Sequence, residues 1–278
     1  MDREQRSISF ITDWDHLFDS CNIQSGMHIS FHHHLRYGDL VVEQVLKEFE
    51  KRNIRDIVLC VSSVMGRASK AVCDAIRAHV VVALETTGAK EPLSELIVNG
   101  SLSSPTIFRS HGGRARALKT GEINLDIAFI AASAVDNEGN CNGVDGKNPF
   151  GSLGYALVDV ENAKQTVIIT DSILPEKLEY ISIPKNLVDK VMIVDSIGDN
   201  SLVAEGSLRG KTTPIGKVIA GQTARVLSTL GVIKDGFSFQ AGSGVISMLA
   251  TQMVAQVMRE KKIVGSFASG GITSSLVE

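Results

Sequence analysis

A run of three histidines, His32, His33 and His34, is followed closely by Arg36. The run lies where the first strand of an α/β unit is expected to end, and parallel sheets bind ligands at such positions. Imidazole and guanidinium donors beside the N–H groups of a helix start suit a carboxylate or a phosphate. A metal site is disfavoured, because neighbouring extended residues point to opposite faces and no further ligand stands at a suitable spacing. Hydrogen-bond donation to an anion is the favoured interpretation, and packing at the strand end is the alternative.

A second candidate is the segment Ser110-His111-Gly112-Gly113-Arg114, which follows a short strand-like stretch. The paired glycines allow the backbone to approach a ligand closely, while Arg114 can meet negative charge. The alternative is a plain glycine turn that carries an exposed arginine.

A third candidate is the polar loop of residues 136–143, which follows a buried apolar run. Its position at the end of a central strand predicts that Asn140, Asn142 and Gly143 line a pocket. The alternative is a long turn, since such residues tolerate unusual backbone angles.

A fourth candidate is a strand-to-helix turn made by Gln240, Gly242, Ser243 and Gly244. No acidic residue stands at the offset that a dinucleotide-binding fingerprint requires, so NAD is rejected. The N–H groups at this helix start can still contact an anion or polarise a thioester carbonyl.

Composition narrows the class of protein. The net charge is −3 and charged residues make up 21% of the 278 residues, with both signs interspersed, so nucleic acid is not an expected partner. Four cysteines without a CxxC pair fit a reducing cytosol. No signal-peptide core or membrane-length apolar stretch is present, so neither export nor a membrane is indicated. Serine–histidine–acid and P-loop patterns are absent as well.

The elements that would position these residues follow an α/β pattern. Uniformly apolar runs separated by helical stretches predict parallel strands buried on both faces. Candidate strands are residues 57–61, 80–84, 127–132, 167–170 and 191–194. Candidate helices are residues 40–51, with Asp39 as its cap, 69–78, and 217–230, which Pro214 opens.

A weak internal repeat divides the chain. A strand, a turn, a helix and a further strand follow one another from Gly26 and again, at similar spacing, from Gly236. Residues 1–211 are therefore expected to form one α/β domain, and residues 212–278 the beginning of a second, related domain that is incomplete at its C-terminus.

Taken in order, several long motifs resemble the alpha subunit of citrate lyase. They comprise residues 25–39, 111–114, 121–129, 136–143, 151–156, 236–244 and 266–273. The resemblance implies a mostly parallel α/β fold of the CoA-transferase type, related to NagB and RpiA. It also implies transfer of an acyl-carrier or CoA thiol from an acetyl thioester to citrate, giving citryl thioester and acetate.

The resemblance further implies no tightly bound cofactor, with acyl-CoA or the CoA-like group of a carrier protein as substrate. The implied partners are the beta subunit and the gamma, or acyl carrier, subunit of a cytoplasmic oligomer. Catalytic roles fall on His33, Arg114, Gly242 and Ser243. Substrate binding falls on His32, His34, Arg36, His111, Gly112, Gly113, Asn140, Asn142, Gly143, Gln240 and Gly244.

Two departures from the family pattern leave other readings open. Family members are much longer and continue into the segment where better-known CoA-transferases carry a catalytic carboxylate. Residues 86–92 are also less rich in glycine and arginine than that family's pattern. The alternatives are a sugar-phosphate isomerase or ligand-sensing relative of the same fold, and an inactive truncated fragment.

Overall fold

The computed structural model describes residues 8–32, 34–205, 212–242 and 244–270. The chain divides into two compact units, Met1–Val203 (unit 1) and Ala204–Glu278 (unit 2). The predicted domain boundary after Lys211 stays a prediction, because residues 206–211 lie outside the described residues.

Unit 1 is built on an eight-stranded sheet in which every neighbouring pair is parallel. The strands of unit 1 are β1 (Ser9–Ile11), β2 (His28–Phe31), β3 (Ile57–Val61), β4 (Val81–Thr86), β5 (Ile107–Phe108), β6 (Ile127–Ala131), β7 (Ala134–Asp136), β8 (Cys141–Asn142), β9 (Gln165–Thr170), β10 (Ile173–Leu174) and β11 (Lys190–Ile193). The large sheet has the order β1-β11-β9-β6-β2-β3-β4-β5, and a small sheet has the order β10-β7-β8.

Helices cover both faces of the large sheet. They are α1 (Trp14–Cys21), α2 (Val41–Lys51), α3 (Gly66–Arg77), α4 (Leu93–Val98), α5 (His111–Lys119) and α6 (Leu157–Asn162), and a further helix, α7 (Ser201–Glu205), lies at the division between the units. Two hydrophobic cores result, and successive residues of β6 belong to different cores. Phe129 belongs to the cluster that includes α1 to α4, and Ile130 belongs to the cluster that includes α5 and α6. A strand buried on both faces must be apolar at every position, as the sequence of β6 is.

The predicted α/β arrangement is confirmed, and its five strands appear within two residues of their predicted limits. Asp39 also acts as expected at the start of α2, where its Oδ1 accepts a hydrogen bond from the N–H of Val42 at 3.1 Å. Helix α3 begins at Gly66, earlier than predicted, because its first turn lacks the apolar periodicity that marks the rest.

Unit 2 contains α8 (Pro214–Thr229), β12 (Ser238–Ala241), α9 (Val245–Lys261) and β13 (Phe267–Gly270). The Thr213 hydroxyl caps α8 by accepting from the N–H of Gly216 at 3.0 Å. Strands β12 and β13 pair in parallel across α9. This is the same strand–helix–strand order as β2, α2 and β3, which agrees with the predicted repeat.

The order of the large sheet sets the position of the site in unit 1. From β2 the chain proceeds through β3, β4 and β5 on one side, and then returns to β6 on the other side of β2. The sheet order therefore reverses between β2 and β6. In open α/β sheets, ligands bind beyond the carboxyl ends of the strands at such a point. His32 and His34 follow β2 there.

Candidate functional site

The centre of the site is a buried ionic cluster of Arg114, Asp159 and His32. Arg114 grips Asp159 with two hydrogen bonds, from Nη1 to Oδ1 at 2.7 Å and from Nη2 to Oδ2 at 2.6 Å. Nη2 also donates to the carbonyl of Cys60 in β3 at 3.1 Å. His32 Nε2 lies 3.0 Å from Asp159 Oδ1. The exposed fractions are 1% for Arg114, 0% for Asp159 and 4% for His32, so the cluster lies beneath the surface of the site.

The cluster keeps Asp159 ionised. Burial alone would raise the pKa of this carboxyl, but the charge of His32 and the two hydrogen bonds from Arg114 outweigh burial and hold the pKa well below its usual range. The neighbouring thiol behaves differently, since burial raises the pKa of Cys60 to about 12. Cys60 is therefore a core thiol and not a nucleophile at neutral pH.

A column of stacked rings, made by His32, His34 and Phe150, extends from this cluster. His32 stacks on His34 with ring centroids 5.5 Å apart, and His34 stacks on Phe150 at 5.0 Å. Tyr155 meets His32 edge-on at 5.4 Å and lies 5.8 Å from the ring of His111. These contacts fix the planes of two imidazoles at the sheet's switch point.

Helix α5 starts beside the column. Ser110 caps it by accepting from the N–H of Gly113 at 3.0 Å, and the Tyr155 hydroxyl donates to the carbonyl of His111 at 2.8 Å. The first N–H groups of an α-helix have no acceptor within the helix, so those of His111 and Gly112 suit an anion. A Cβ built on Gly112 meets nothing within 4 Å, which leaves open space above this turn.

The amides of the 136–143 loop are engaged with the protein. Asn140 donates to Asp136 at 2.9 Å and accepts from the N–H of Lys185 at 3.0 Å. Asn142 donates to Asp145 and to the carbonyl of Tyr180, and its oxygen accepts from two N–H groups of the same turn. These amides hold the loop, and a contact between them and a thioester stays a prediction.

Gly143 supports the ring column through a close approach that a side chain would prevent. A Cβ there would lie 2.1 Å from the carbonyl oxygen of Gly151 and 2.6 Å from the ring of Phe150. The carbonyl of Gly143 also accepts hydrogen bonds from the N–H groups of Phe150 and Gly151, at 2.8 and 2.9 Å. Glycine at position 143 thus allows Phe150 to reach His34.

Replacing Gly143 with alanine is expected to lower the free energy of unfolding by about 1–3 kcal/mol, because the methyl group must displace backbone and ring atoms. Urea denaturation followed by the fluorescence of Trp14, the one tryptophan of the chain, measures this in unit 1. Gly88→Ala is the control, since Gly88 also lies in unit 1 and a Cβ there meets nothing within 4 Å. Equal stability of the two variants would contradict the expectation.

The remaining predicted residues lie apart from this centre or outside the described residues. Arg36 is exposed, in a short 3-10 helix after the histidine run. Gln240, Gly242 and Gly244 belong to unit 2, where Gly244 lies at the start of α9 without a side-chain cap. His33 and Ser243 lie outside the described residues, so the roles predicted for them stay predictions.

The structure brings four of the predicted residues together, His32, His34, His111 and Arg114, and adds two that sequence reasoning missed. Asp159 is the first, and its signal was a single acid among the apolar residues Leu157, Val158 and Val160. Tyr155 is the second, and in the sequence it belongs only to the motif of residues 151–156, without a role of its own. Among the described residues, no group of three or more His, Cys, Asp or Glu side chains could hold a metal ion. No helix in the described ranges is long and apolar enough to cross a membrane.

The parallel sheet, its two helical layers and a polar site at the switch point define an α/β protein of the CoA-transferase type. An acyl-CoA transferase from Escherichia coli O157:H7, solved as a thioester complex with CoA, has the same fold at 13% identity and a TM-score of 0.65. The match covers 97% of this chain and 64% of that chain.

The chain belongs to the citrate lyase alpha subunit family, because the family model "Citrate lyase, alpha subunit (CitF)" matches residues 10–278. The citrate lyase alpha chain of Escherichia coli (strain K12) is 40% identical over 256 residues, which are 92% of this chain and 50% of that protein. A crystal structure of the putative alpha subunit from Streptococcus mutans, in complex with citrate, is 38% identical with a TM-score of 0.90 and matches 99% of this chain and 53% of that one. The chain thus spans about half the length of these relatives.

Proposed function

We propose that this chain contributes the citrate-binding half-site of a citrate CoA-transferase. The reaction moves the thiol of an acyl carrier protein, or of CoA, from an acetyl thioester to citrate and releases acetate. The observation that carries the proposal is that the stacked rings of His32 and His34 are linked through Tyr155 to the open first turn of α5. The chain also belongs to the citrate lyase alpha subunit family. The Streptococcus mutans relative, solved in complex with citrate, supports the same ligand.

The geometry suits a polycarboxylate. His111 begins α5, whose positive end faces the open space above Gly112. Tyr155 contacts the rings of both His111 and His32, and His32 stacks on His34. A carboxylate held there is desolvated on one side and oriented, which is what attack on a thioester carbonyl requires. Because burial gives the nearby Cys60 thiol a pKa of about 12, the proposed reaction proceeds through positioning rather than through a cysteine nucleophile.

The acetyl thioester that donates the thiol, and the carrier of that thiol, come from outside this site. We propose that the thioester is delivered by the CoA-like group of an acyl carrier subunit, that the beta subunit completes the lyase, and that the assembly is a cytoplasmic oligomer. In this scheme Gln240, Gly242, Ser243 and Gly244 contact the carrier or the thioester carbonyl, and no tightly bound cofactor takes part.

Gly112→Ala is expected to weaken citrate binding at least tenfold while leaving the fold intact. The methyl group meets no protein atom within 4 Å, and alanine in a helix is favoured over glycine by about 0.5–1 kcal/mol. In the complex, however, the methyl would occupy the space assigned to a carboxylate. Isothermal titration with citrate measures the affinity, and citrate-dependent release of acetate from acetyl-CoA measures the transfer.

Gly221→Ala is the matched control, since it adds the same methyl to another helix, α8, and is expected to bind citrate as the wild type does. Equal citrate affinity of Gly112→Ala and the wild type would remove α5 from the site. Binding of a sugar phosphate such as ribose 5-phosphate in place of citrate would favour the isomerase-like alternative. A folded chain that binds neither ligand would reject the proposed half-site.

A further inference from the structure

Tyr155 joins the histidine column to the first turn of α5. It lies in the short 3-10 helix Gly154–Ala156, which leads into α6. Its ring contacts the rings of His32 and His111, with ring centroids 5.4 and 5.8 Å apart. Its hydroxyl donates to the carbonyl of His111 at 2.8 Å, although the two residues are 44 positions apart in the chain. The phenol is therefore held at the turn whose N–H groups are proposed to bind a carboxylate.

The hydrogen bond to His111 decides what the phenol can offer to a ligand. A phenol has one proton to donate, and its oxygen can also accept. The proton of Tyr155 is committed to the carbonyl of His111, so the oxygen acts as an acceptor toward any further partner. Burial raises the pKa of Tyr155 above its ordinary value of 10.0, although the charge of Arg114 lowers it. The phenol thus keeps its proton at neutral pH.

This acceptor lies beside the open space above the start of α5. Tyr155 is half-buried and His111 is exposed, and a Cβ built on the next residue, Gly112, meets nothing within 4 Å. The carboxylate at the centre of the site is placed differently. Asp159 is 0% exposed and both of its oxygens accept from Arg114, so it offers no acceptor to a ligand.

A hydroxycarboxylate such as citrate has two kinds of group to satisfy. Its carboxylates accept hydrogen bonds, and the N–H groups of His111 and Gly112 can donate them. Its hydroxyl donates, and it shares a carbon atom with one carboxylate, so it stays close to a carboxylate that is bound at the turn. We infer that Tyr155 is a specificity-determining residue, whose oxygen accepts a hydrogen bond from the hydroxyl of the bound hydroxycarboxylate. This inference rests on the proposed function for the identity of the ligand.

The consequence is discrimination against a polycarboxylate that lacks the hydroxyl. A site that hydrogen-bonds a hydroxyl rejects an analogue without it, because a polar atom of the site is then left without a partner. Tricarballylate is the matched probe, since it has the three carboxylates of citrate and a hydrogen atom in place of the hydroxyl. One hydrogen bond of ordinary strength corresponds to a preference for citrate of about fivefold.

Tyr155→Phe tests the inference, because it removes the oxygen and keeps the ring that contacts His32 and His111. Isothermal titration of the full chain with each ligand measures the two affinities. The wild type is expected to bind citrate about fivefold more tightly than tricarballylate. In Tyr155→Phe the affinity for citrate is expected to fall by about fivefold and the affinity for tricarballylate to stay unchanged. Tyr180→Phe removes the hydroxyl of an exposed tyrosine and is expected to retain the preference of the wild type.

The comparison of the two ligands separates recognition of the hydroxyl from support of the helix. Equal weakening of both ligands in Tyr155→Phe would show that the phenol only supports α5, and would overturn the inference. A wild type without a preference for citrate would overturn it too, and so would a folded Tyr155→Phe variant that retains the preference. A folded wild type that binds no citrate would instead reject the proposed function on which the inference rests.

Discussion

Replacing Arg114 with methionine is expected to lower the free energy of unfolding by about 3–5 kcal/mol, the cost of removing one partner from a buried ion pair. Arg114 and Asp159 are 1% and 0% exposed, so Asp159 would keep a buried charge without the two hydrogen bonds that now compensate it. The carbonyl of Cys60 would lose a donor as well. Methionine fills much of the volume of the arginine side chain, so the loss of stability reflects the missing charge more than a loss of packing.

Urea denaturation followed by Trp14 fluorescence measures this effect in unit 1. Arg114→Met/Asp159→Leu is the matched control and is expected to recover most of the stability, because no buried charge is left unpaired. A single variant as stable as the double variant would show that the pair carries little energy.

The same experiment has a defined pH dependence. The pKa of Asp159 is held below its ordinary value of 3.8, so its contribution to stability is present above that pH and is lost as the pH falls below it. The difference in the free energy of unfolding between the wild type and Arg114→Met is therefore expected to be large near neutral pH and to become smaller at about pH 3. A difference that is independent of pH would argue against an electrostatic origin.

The fold could be predicted because its signals are local. Strands β3, β6 and β9 are apolar at successive positions, and only a sheet covered on both faces buries such strands. The strand–helix–strand repeat was readable for the same reason. The small sheet of β7, β8 and β10 was missed, since strands of two or three residues are too short for any periodicity to show.

The site could be predicted only in part, because its partners come together through the fold. The histidine run and the 111–114 segment were found, but Arg114 was expected to face a ligand and instead reaches inward to Asp159, 45 residues away. Nothing in the spacing of two such distant residues reveals a salt bridge. The polar loop of Asn140 and Asn142 illustrates the opposite case. Its composition is typical of a pocket wall, yet the two amides are engaged in hydrogen bonds with the protein, to Asp136 within the loop and to the carbonyl of Tyr180 outside it.

The second large effect is expected at Asp39, at the start of α2. Its side chain is fully buried, and burial raises its pKa to about 7, although hydrogen bonds from the N–H groups of Val42 and Val41 lower it. The folded chain therefore retains a proton that the unfolded chain releases at its ordinary pKa of 3.8. A raised carboxyl pKa gives stability that is present below about pH 4 and is lost as the pH rises to about 7.

Asp39→Asn is expected to abolish this loss, because the amide oxygen can still accept from Val42 and the side chain cannot ionise. Since one pKa unit corresponds to about 1.4 kcal/mol, the variant should gain on the order of 4 kcal/mol relative to the wild type between about pH 4 and pH 8. Urea denaturation followed by Trp14 fluorescence at both pH values measures this, and the shared titration of all other groups cancels in the difference. Asp19→Asn changes an exposed acid, and its free energy of unfolding should depend on pH in the same way as that of the wild type. If the free energy of unfolding of Asp39→Asn also depends on pH as that of the wild type does, Asp39 is ionised in the folded chain throughout this range. The start of helix α2 would then stabilise its charge more than burial opposes it.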